Sequence, residues 1–112
     1  MKGLTIRWSL EGAPDGVVDQ LRDFVAETSH GRFTGMSGLR HKTWRVREGE
    51  WFEGSYVFAT DEARAAFQAE FVAGVADAPG TRIIGSQPVL VEPCDIVAVA
   101  EGWDGFEATP RA

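Results

Sequence analysis

Residues Gly38–Phe58 read GLRHKTWRVREGEWFEGSYVF, and the way this stretch pairs with itself decides the fold. Two runs rich in aromatic and β-branched residues meet at Glu48-Gly49-Glu50-Trp51, which marks a β-hairpin. The stretch carries two Trp, two Phe and one Tyr beside one His and four basic side chains. Strands that only built a core would not need so many polar groups, and strands that only faced water would not need so many rings. If Gly49-Glu50 is a two-residue turn with Gly first, as a type II′ turn favours, Glu48 pairs with Trp51, Thr43 with Tyr56 and His41 with Phe58. His41, Thr43 and Arg45 then share a face with Tyr56 and Phe58. A one-residue bulge brings Lys42 and Trp44 onto that face instead. The first register is preferred.

Toward the N-terminus, Leu4–Leu10 (LTIRWSL) alternates, with Leu4, Ile6, Trp8 and Leu10 on one face of a half-buried strand. Glu11-Gly12-Ala13-Pro14 is a turn, and Asp15 is placed to cap a helix. In that helix Val17, Val18, Leu21, Phe24, Val25 and Thr28 fall at helical spacing, with Gly31 suited to the C-cap and Ser29–Ser37 loop-like. Toward the C-terminus, Thr60 caps a second helix whose first turn holds Asp61 and Glu62 and whose stripe is Ala63, Ala66, Phe67, Phe71 and Val75. Thr81–Val91 (TRIIGSQPVLV) reads as the last strand, at an edge or interrupted because of Pro88, and Pro93 breaks it again. Asp95–Ala100 is strand-like in composition but short enough for a helical turn, and Thr109–Ala112 is expected to fray. The order β-α-β-β-α-β predicts an α+β, ferredoxin-like fold: one antiparallel sheet with two helices on one face. The 112 residues form a single domain, with the tail after about residue 93 less patterned. Ring-bearing strands would leave an apolar patch on the other face, and a second copy of the sheet would cover it, so a homodimer is expected.

Composition excludes several partners. The net charge is −6, so nucleic acid and anionic membrane surfaces would be repelled on average. No apolar run approaches the roughly 20 residues of a membrane span, and MKGLTIRWSLEG does not have the pattern of a signal peptide. Cys94 is the single cysteine, so no internal disulfide is expected and a reducing cytoplasm suits the chain. His30 and His41 lack the spacing of a zinc site, and there is no dinucleotide fingerprint, phosphate loop or nucleophile elbow. No metal or cofactor is expected.

Gly38-Leu39, Lys42, Trp44, Glu53-Gly54-Ser55-Tyr56-Val57-Phe58 and Asp61-Glu62-Ala63, in that order, resemble the pattern of the YdhR-type mono-oxygenases: Gly-aromatic, Lys-x-Trp, Gly-Gly-x-Tyr-x-Phe, Asp-Glu. Leu4–Gly12 is similar to the family's opening strand, so the likeness touches most of residues 4–93. Glu53 stands where that pattern has its first Gly, and His41 replaces an aromatic. The resemblance implies a dimeric α/β barrel, in a superfamily that includes cofactor-free mono-oxygenases of aromatic polyketides and quinols, haem-degrading enzymes and lactone isomerases.

A planar phenolic substrate needs a flat apolar slot with a few directed polar groups. Trp8, Trp44, Tyr56 and Phe58 are candidates to bind it. Oxidation without metal or flavin requires the substrate itself to give an electron to oxygen, which a phenolate does far more readily than a phenol. His41 is the candidate base, Arg45 the group that holds the anion, and Tyr56 a hydrogen-bonding partner. Each residue also has an ordinary structural reading. A strand His is commonly a structural hydrogen-bonding group. Arg45 and Arg47 beside Glu48, Glu50 and Glu53 suit a solvated cross-strand charge ladder. Trp44 and Tyr56 suit a core or an interface, and His30 suits a helix end. The expected function is a small cofactor-independent mono-oxygenase acting on an aromatic or quinol-like metabolite. The alternatives are a non-catalytic small-ligand-binding or structural dimer, and an isomerase or cyclase with His41 as proton shuttle.

Overall fold

In the computed structural model, which describes residues 1–105, a four-stranded antiparallel sheet carries its helices on one face in the ferredoxin-like arrangement. The elements are β1 (Lys2–Ser9), α1 (Val17–Phe24), a π-helical turn (Val25–Ser29), α2 (His30–Phe33), β2 (Leu39–Arg47), β3 (Trp51–Phe58), α3 (Asp61–Ala73), a 3₁₀ turn (Val75–Asp77), α4 (Pro79–Ile84) and β4 (Leu90–Asp95). The strand order is β2-β3-β1-β4, so the most apolar strands, β1 and β3, lie in the centre.

The alternation read in β1 holds. Leu4, Ile6 and Trp8 are buried toward the helices, opposite Tyr56, Gly54 and Phe52 of β3. Val17 and Leu21 of α1, Phe33 of α2 and Ile84 of α4 complete the core, with Phe67 and Phe71 of α3 packed against it. Thr60 caps α3 as its sequence suggests, its hydroxyl accepting from the Ala63 amide at 3.2 Å.

The hairpin differs from the preferred register. Gly49 has φ 77°, and the Glu50 amide donates to the Arg47 carbonyl at 2.9 Å. Gly49 is therefore the third residue of a turn from Arg47 to Glu50, where a type II turn requires positive φ. The expected turn placed it second. Moving the glycine by one position pairs Arg47 with Trp51, Trp44 with Gly54 and Lys42 with Tyr56. A bulge between Leu39 and His41 then lets Leu39 pair with Phe58. Because side chains alternate along a strand, this one-residue change exchanges the two faces.

Three other boundaries move. Asp15 does not cap α1; Gly16, in the left-handed region, holds the N-cap with no side-chain hydrogen bond. The helical path continues through the π turn and α2 to Phe33, so Gly31 lies inside it and most of the expected loop Ser29–Ser37 is helical. Thr81–Ile84 belongs to α4, started by Pro79 in its first turn and ended by Gly85 at φ 88°. The strand begins only at Leu90. Pro93 does not break it, because β4 is an edge strand. From residue 96 to residue 105 the chain is neither strand nor helix, although the Ile96 amide still reaches the Met1 carbonyl at 3.1 Å. Trp103 of the tail is fully exposed; Phe106 and residues 109–112 lie outside the described residues.

The helix-free face is not the apolar sheet that the ring count suggested. Glu53 is 1% exposed there and takes one arginine on each carboxylate oxygen. Arg7 Nε and Nη2 donate to Oε1 at 3.0 and 2.8 Å, and Arg45 Nε donates to Oε2 at 2.7 Å. The Trp51 ring lies under both guanidinium groups, 4.3 Å from that of Arg7 and 5.4 Å from that of Arg45. The Arg45–Glu53 rung of the cross-strand ladder read from the sequence is present, but Glu53 is buried rather than solvated, and Arg7 of β1 joins it.

Candidate functional site

Between the sheet and the helices lies a cleft of about 190 Å³. Its floor is Gly54, the only residue on the inner face of β3 without a side chain between Phe52 and Tyr56. A Cβ there would lie 3.1 Å from Tyr56 Cε1, 3.2 Å from the Tyr56 hydroxyl oxygen and 3.4 Å from Lys42 Cε. The glycine therefore makes the room in which the lysine and the tyrosine hydroxyl sit side by side. A cavity of about 150 Å³ is enough to hold benzene, so the cleft has the size of a small aromatic ring.

Rings make most of the lining. Trp8 stands at one end, edge-on to Phe71 with centroids 6.0 Å apart, its indole N–H donating to the buried Thr81 hydroxyl at 3.2 Å. Gly80 of α4 lies against this indole, where a Cβ would come within 3.0 Å of the ring. Trp44 and Phe33 form the other end, 6.0 Å apart and edge to face, and Phe67 closes over Tyr56 at 5.0 Å. The polar lining is Ser29, Arg32, Lys42, Tyr56 and Glu70.

Lys42 is the chemical centre of this cleft. Its Nζ is 3.6 Å from the centroid of Phe33, 4.4 Å from that of Tyr56 and 4.5 Å from that of Trp44. Among the described residues it makes no hydrogen bond and no ion pair. Burial, and then the nearby Arg32 guanidinium, push its pKa down from 10.5 to about 6. The three ring faces act in the opposite sense, since they attract the ammonium. Burial also raises the pKa of the Tyr56 phenol, against a smaller pull from Arg32, so its hydroxyl stays protonated as a donor. Arg32 packs 4.9 Å from the Phe33 centroid and adds positive charge at the same end.

The structure thus divides the expected site. Tyr56, Trp8 and Trp44 line the cleft together. Phe58 does not; it is 1% exposed and lies behind Tyr56, stacked on it at 5.9 Å. His41 and Arg45 do not either. Both alternate with Lys42 and Trp44 along β2 and project from the helix-free face, His41 beside Val57 and Arg45 onto Glu53. The glycine turn that shifted the register is the cause. Where His41 and Arg45 were expected, the cleft is lined by Lys42 and Arg32. His30 does not cap a helix end but sits 6.0 Å from the Trp44 ring. Lys42 was visible as the alternative register and as the Lys-x-Trp pair of the resemblance. Ser29, Arg32 and Phe33 were not visible, because their segment reads as a loop. Among the described residues, no three His, Cys, Asp or Glu side chains gather as a metal-binding group.

No family model matches the chain, and no curated protein does. Among solved structures it is similar to the crystal structure of the NE2512 protein of unknown function from Nitrosomonas europaea. The two share 22% identity over 90% of this chain and 93% of that one, with a TM-score of 0.65. At that identity the likeness shows the fold alone.

Proposed function

We propose that the protein is a small mono-oxygenase-like enzyme that binds a flat aromatic or quinol-like metabolite in the sheet–helix cleft and takes its acidic proton onto Lys42. One observation carries the reading: a lysine amine without a carboxylate partner faces a ring-sized, ring-lined cleft beside a protonated tyrosine. The reading keeps the activity implied by the YdhR-type resemblance and moves its base from His41 to Lys42. The amine accepts the phenolic proton, and the ammonium then faces the phenolate it has made. That attraction, in a site with little water, offsets the burial that disfavoured the cation alone. Tyr56 donates a hydrogen bond to the phenolate oxygen, and Arg32 adds positive charge at the same end. The phenolate gives one electron to dioxygen. The resulting radical and superoxide combine at an ortho or para ring carbon that carries hydrogen, the peroxide takes the proton from the Lys42 ammonium, and loss of water with that ring hydrogen leaves the quinone, so phenol and dioxygen become quinone and water.

The test is oxygen uptake with hydroquinone or a substituted phenol in the presence of a chelator and without added flavin. Lys42→Met and Tyr56→Phe should lower the rate at least tenfold, while His41→Ala should leave it unchanged. Ligand binding without oxygen uptake would replace the enzyme with a binding module; equal loss in His41→Ala would return the base to His41.

The homodimer belongs to the same proposal. The sheet face opposite the helices presents the Arg7–Glu53–Arg45 row and Trp51, which would meet the same row of a second copy. Light scattering at micromolar concentration checks it, and a monomer mass would remove the dimer without touching the cleft. Among the described residues no helix is long and apolar enough to cross a membrane. With its lone exposed thiol at Cys94, the chain suits the cytoplasm.

A further inference from the structure

We infer that Lys42 Nζ is a covalent carbonyl site, at which a small aromatic aldehyde or ketone bound in the cleft is held as an imine. The inference rests on the cleft being a ligand site and not on oxygen chemistry. It starts from what surrounds the amine. A structural lysine in a core is normally paired with a carboxylate; this one makes no ion pair among the described residues and meets ring faces at 3.6, 4.4 and 4.5 Å. Ring faces stabilise a cation without occupying its donors and without offering a base that would hold it permanently protonated. Such a cage serves an amine that must be neutral to attack and cationic afterwards.

The chemistry closes with the groups present. The nitrogen lone pair attacks the carbonyl carbon, forming a C–N bond as the C–O π pair moves to oxygen. Tyr56, whose hydroxyl lies beside Lys42 Cε over Gly54, donates a hydrogen bond to that oxygen. The amine proton passes to the oxygen, a second proton from solvent makes it a leaving water, and the C–O bond breaks to give the iminium. The iminium carries its charge where the ammonium would have, inside the same three rings. Burial, the cause of the depressed amine, leaves the free base in place near neutral pH. An aromatic carbonyl compound is the class that fits, because Phe33, Tyr56 and Trp44 present rings around the nitrogen. The chain contains only one other lysine, Lys2, which is exposed and paired with Asp95, so it serves as an internal control.

The test is incubation of the wild-type protein with benzaldehyde and sodium cyanoborohydride at neutral pH, followed by intact mass and peptide mapping. One benzyl group should appear on Lys42 at least tenfold faster than on Lys2 or the N-terminal amine. Lys42→Met and Lys42→Arg, each checked for fold by circular dichroism, should lose the fast adduct. Labelling spread equally over Lys2 and the N-terminus, or a fast adduct surviving in Lys42→Arg, would overturn the inference. Oxygen uptake with hydroquinone, measured in parallel, separates the two readings. Uptake without labelling removes the imine alone, labelling without uptake removes the mono-oxygenase alone, and failure of both removes the cleft as a site.

Discussion

Lys42→Met removes the amine, keeps a flexible chain of similar length in the cleft, and should make the protein more stable in a pH-dependent way. In the unfolded chain the amine keeps its ordinary value of 10.5, whereas the fold lowers it to about 6. Between those values the unfolded state holds more protons than the native state, so wild-type stability rises with pH through that window. Each pH unit there is worth about 1.4 kcal/mol, so at pH 7 burial of Lys42 costs roughly 4–5 kcal/mol. The three ring contacts return about 1–2 kcal/mol of this. The variant should therefore be about 2–4 kcal/mol more stable than wild type at pH 7, with the gap closing as pH rises toward 9.5. Arg32, Tyr56 and Glu70 are the charged and titratable groups that share the cleft with Lys42. They are common to both proteins, so the difference isolates the lysine. Urea denaturation of both proteins between about pH 6.5 and 9.5 measures it. A variant less stable at every pH, or a gap that stays constant across the range, would refute the reasoning.

Three further predictions test other parts of the structure. Glu53→Gln removes the charge shared by Arg7 and Arg45; because both arginines are partly exposed and rehydrate, the loss should be about 1–3 kcal/mol in urea denaturation, and a loss under about 0.5 kcal/mol would demote the row to surface decoration. Gly85→Ala meets no atom within 4 Å but must hold φ 88°, so the melting transition should report a cost of about 1 kcal/mol from backbone conformation alone. Gly54→Ala places a methyl against the Tyr56 hydroxyl and Lys42 Cε, and a folded variant should bind hydroquinone at least tenfold more weakly by tryptophan fluorescence; unchanged affinity would move the ligand out of the cleft.

The architecture was legible in the sequence because its signals are local and repeated. Period-two apolar residues in β1, the Thr60 cap and the Phe67–Phe71 stripe of α3 each specify an element without help from the rest of the chain. What failed were single-residue questions whose answers depend on partners. Gly49 suits positive φ at either central position of a turn, and the choice depends on distant partners such as the Leu10 amide, which donates to the Glu50 carbonyl at 3.0 Å and ties the hairpin tip to the end of β1. That one position decides whether His41 or Lys42 faces the helices. The π turn hid the site in another way. Its extra residue shifts the helical phase between Phe24 and Phe33, so the apolar spacing breaks off and the segment reads as a loop. Ile83 and Ile84 read as strand by their β-branching, yet Pro79 at one end and Gly85 at the other impose a helix. Tyr56, Trp8 and Trp44 were found because ring size marks them whichever way the hairpin is registered. Lys42 came forward only with the second register and the resemblance, and nothing in a linear sequence shows that three rings surround it.

The most direct test is ¹³C NMR of protein labelled at the lysine ε carbons, which gives one signal for each of the chain's two lysines. Lys42 is expected to titrate well below the ordinary 10.5 and to move when hydroquinone is added, while Lys2, raised by its pairing with Asp95, stays protonated beyond that value and does not respond. Two signals that both titrate above about 10, neither shifting with the ligand, would contradict the placement of an unpaired amine in a ligand-accepting cleft.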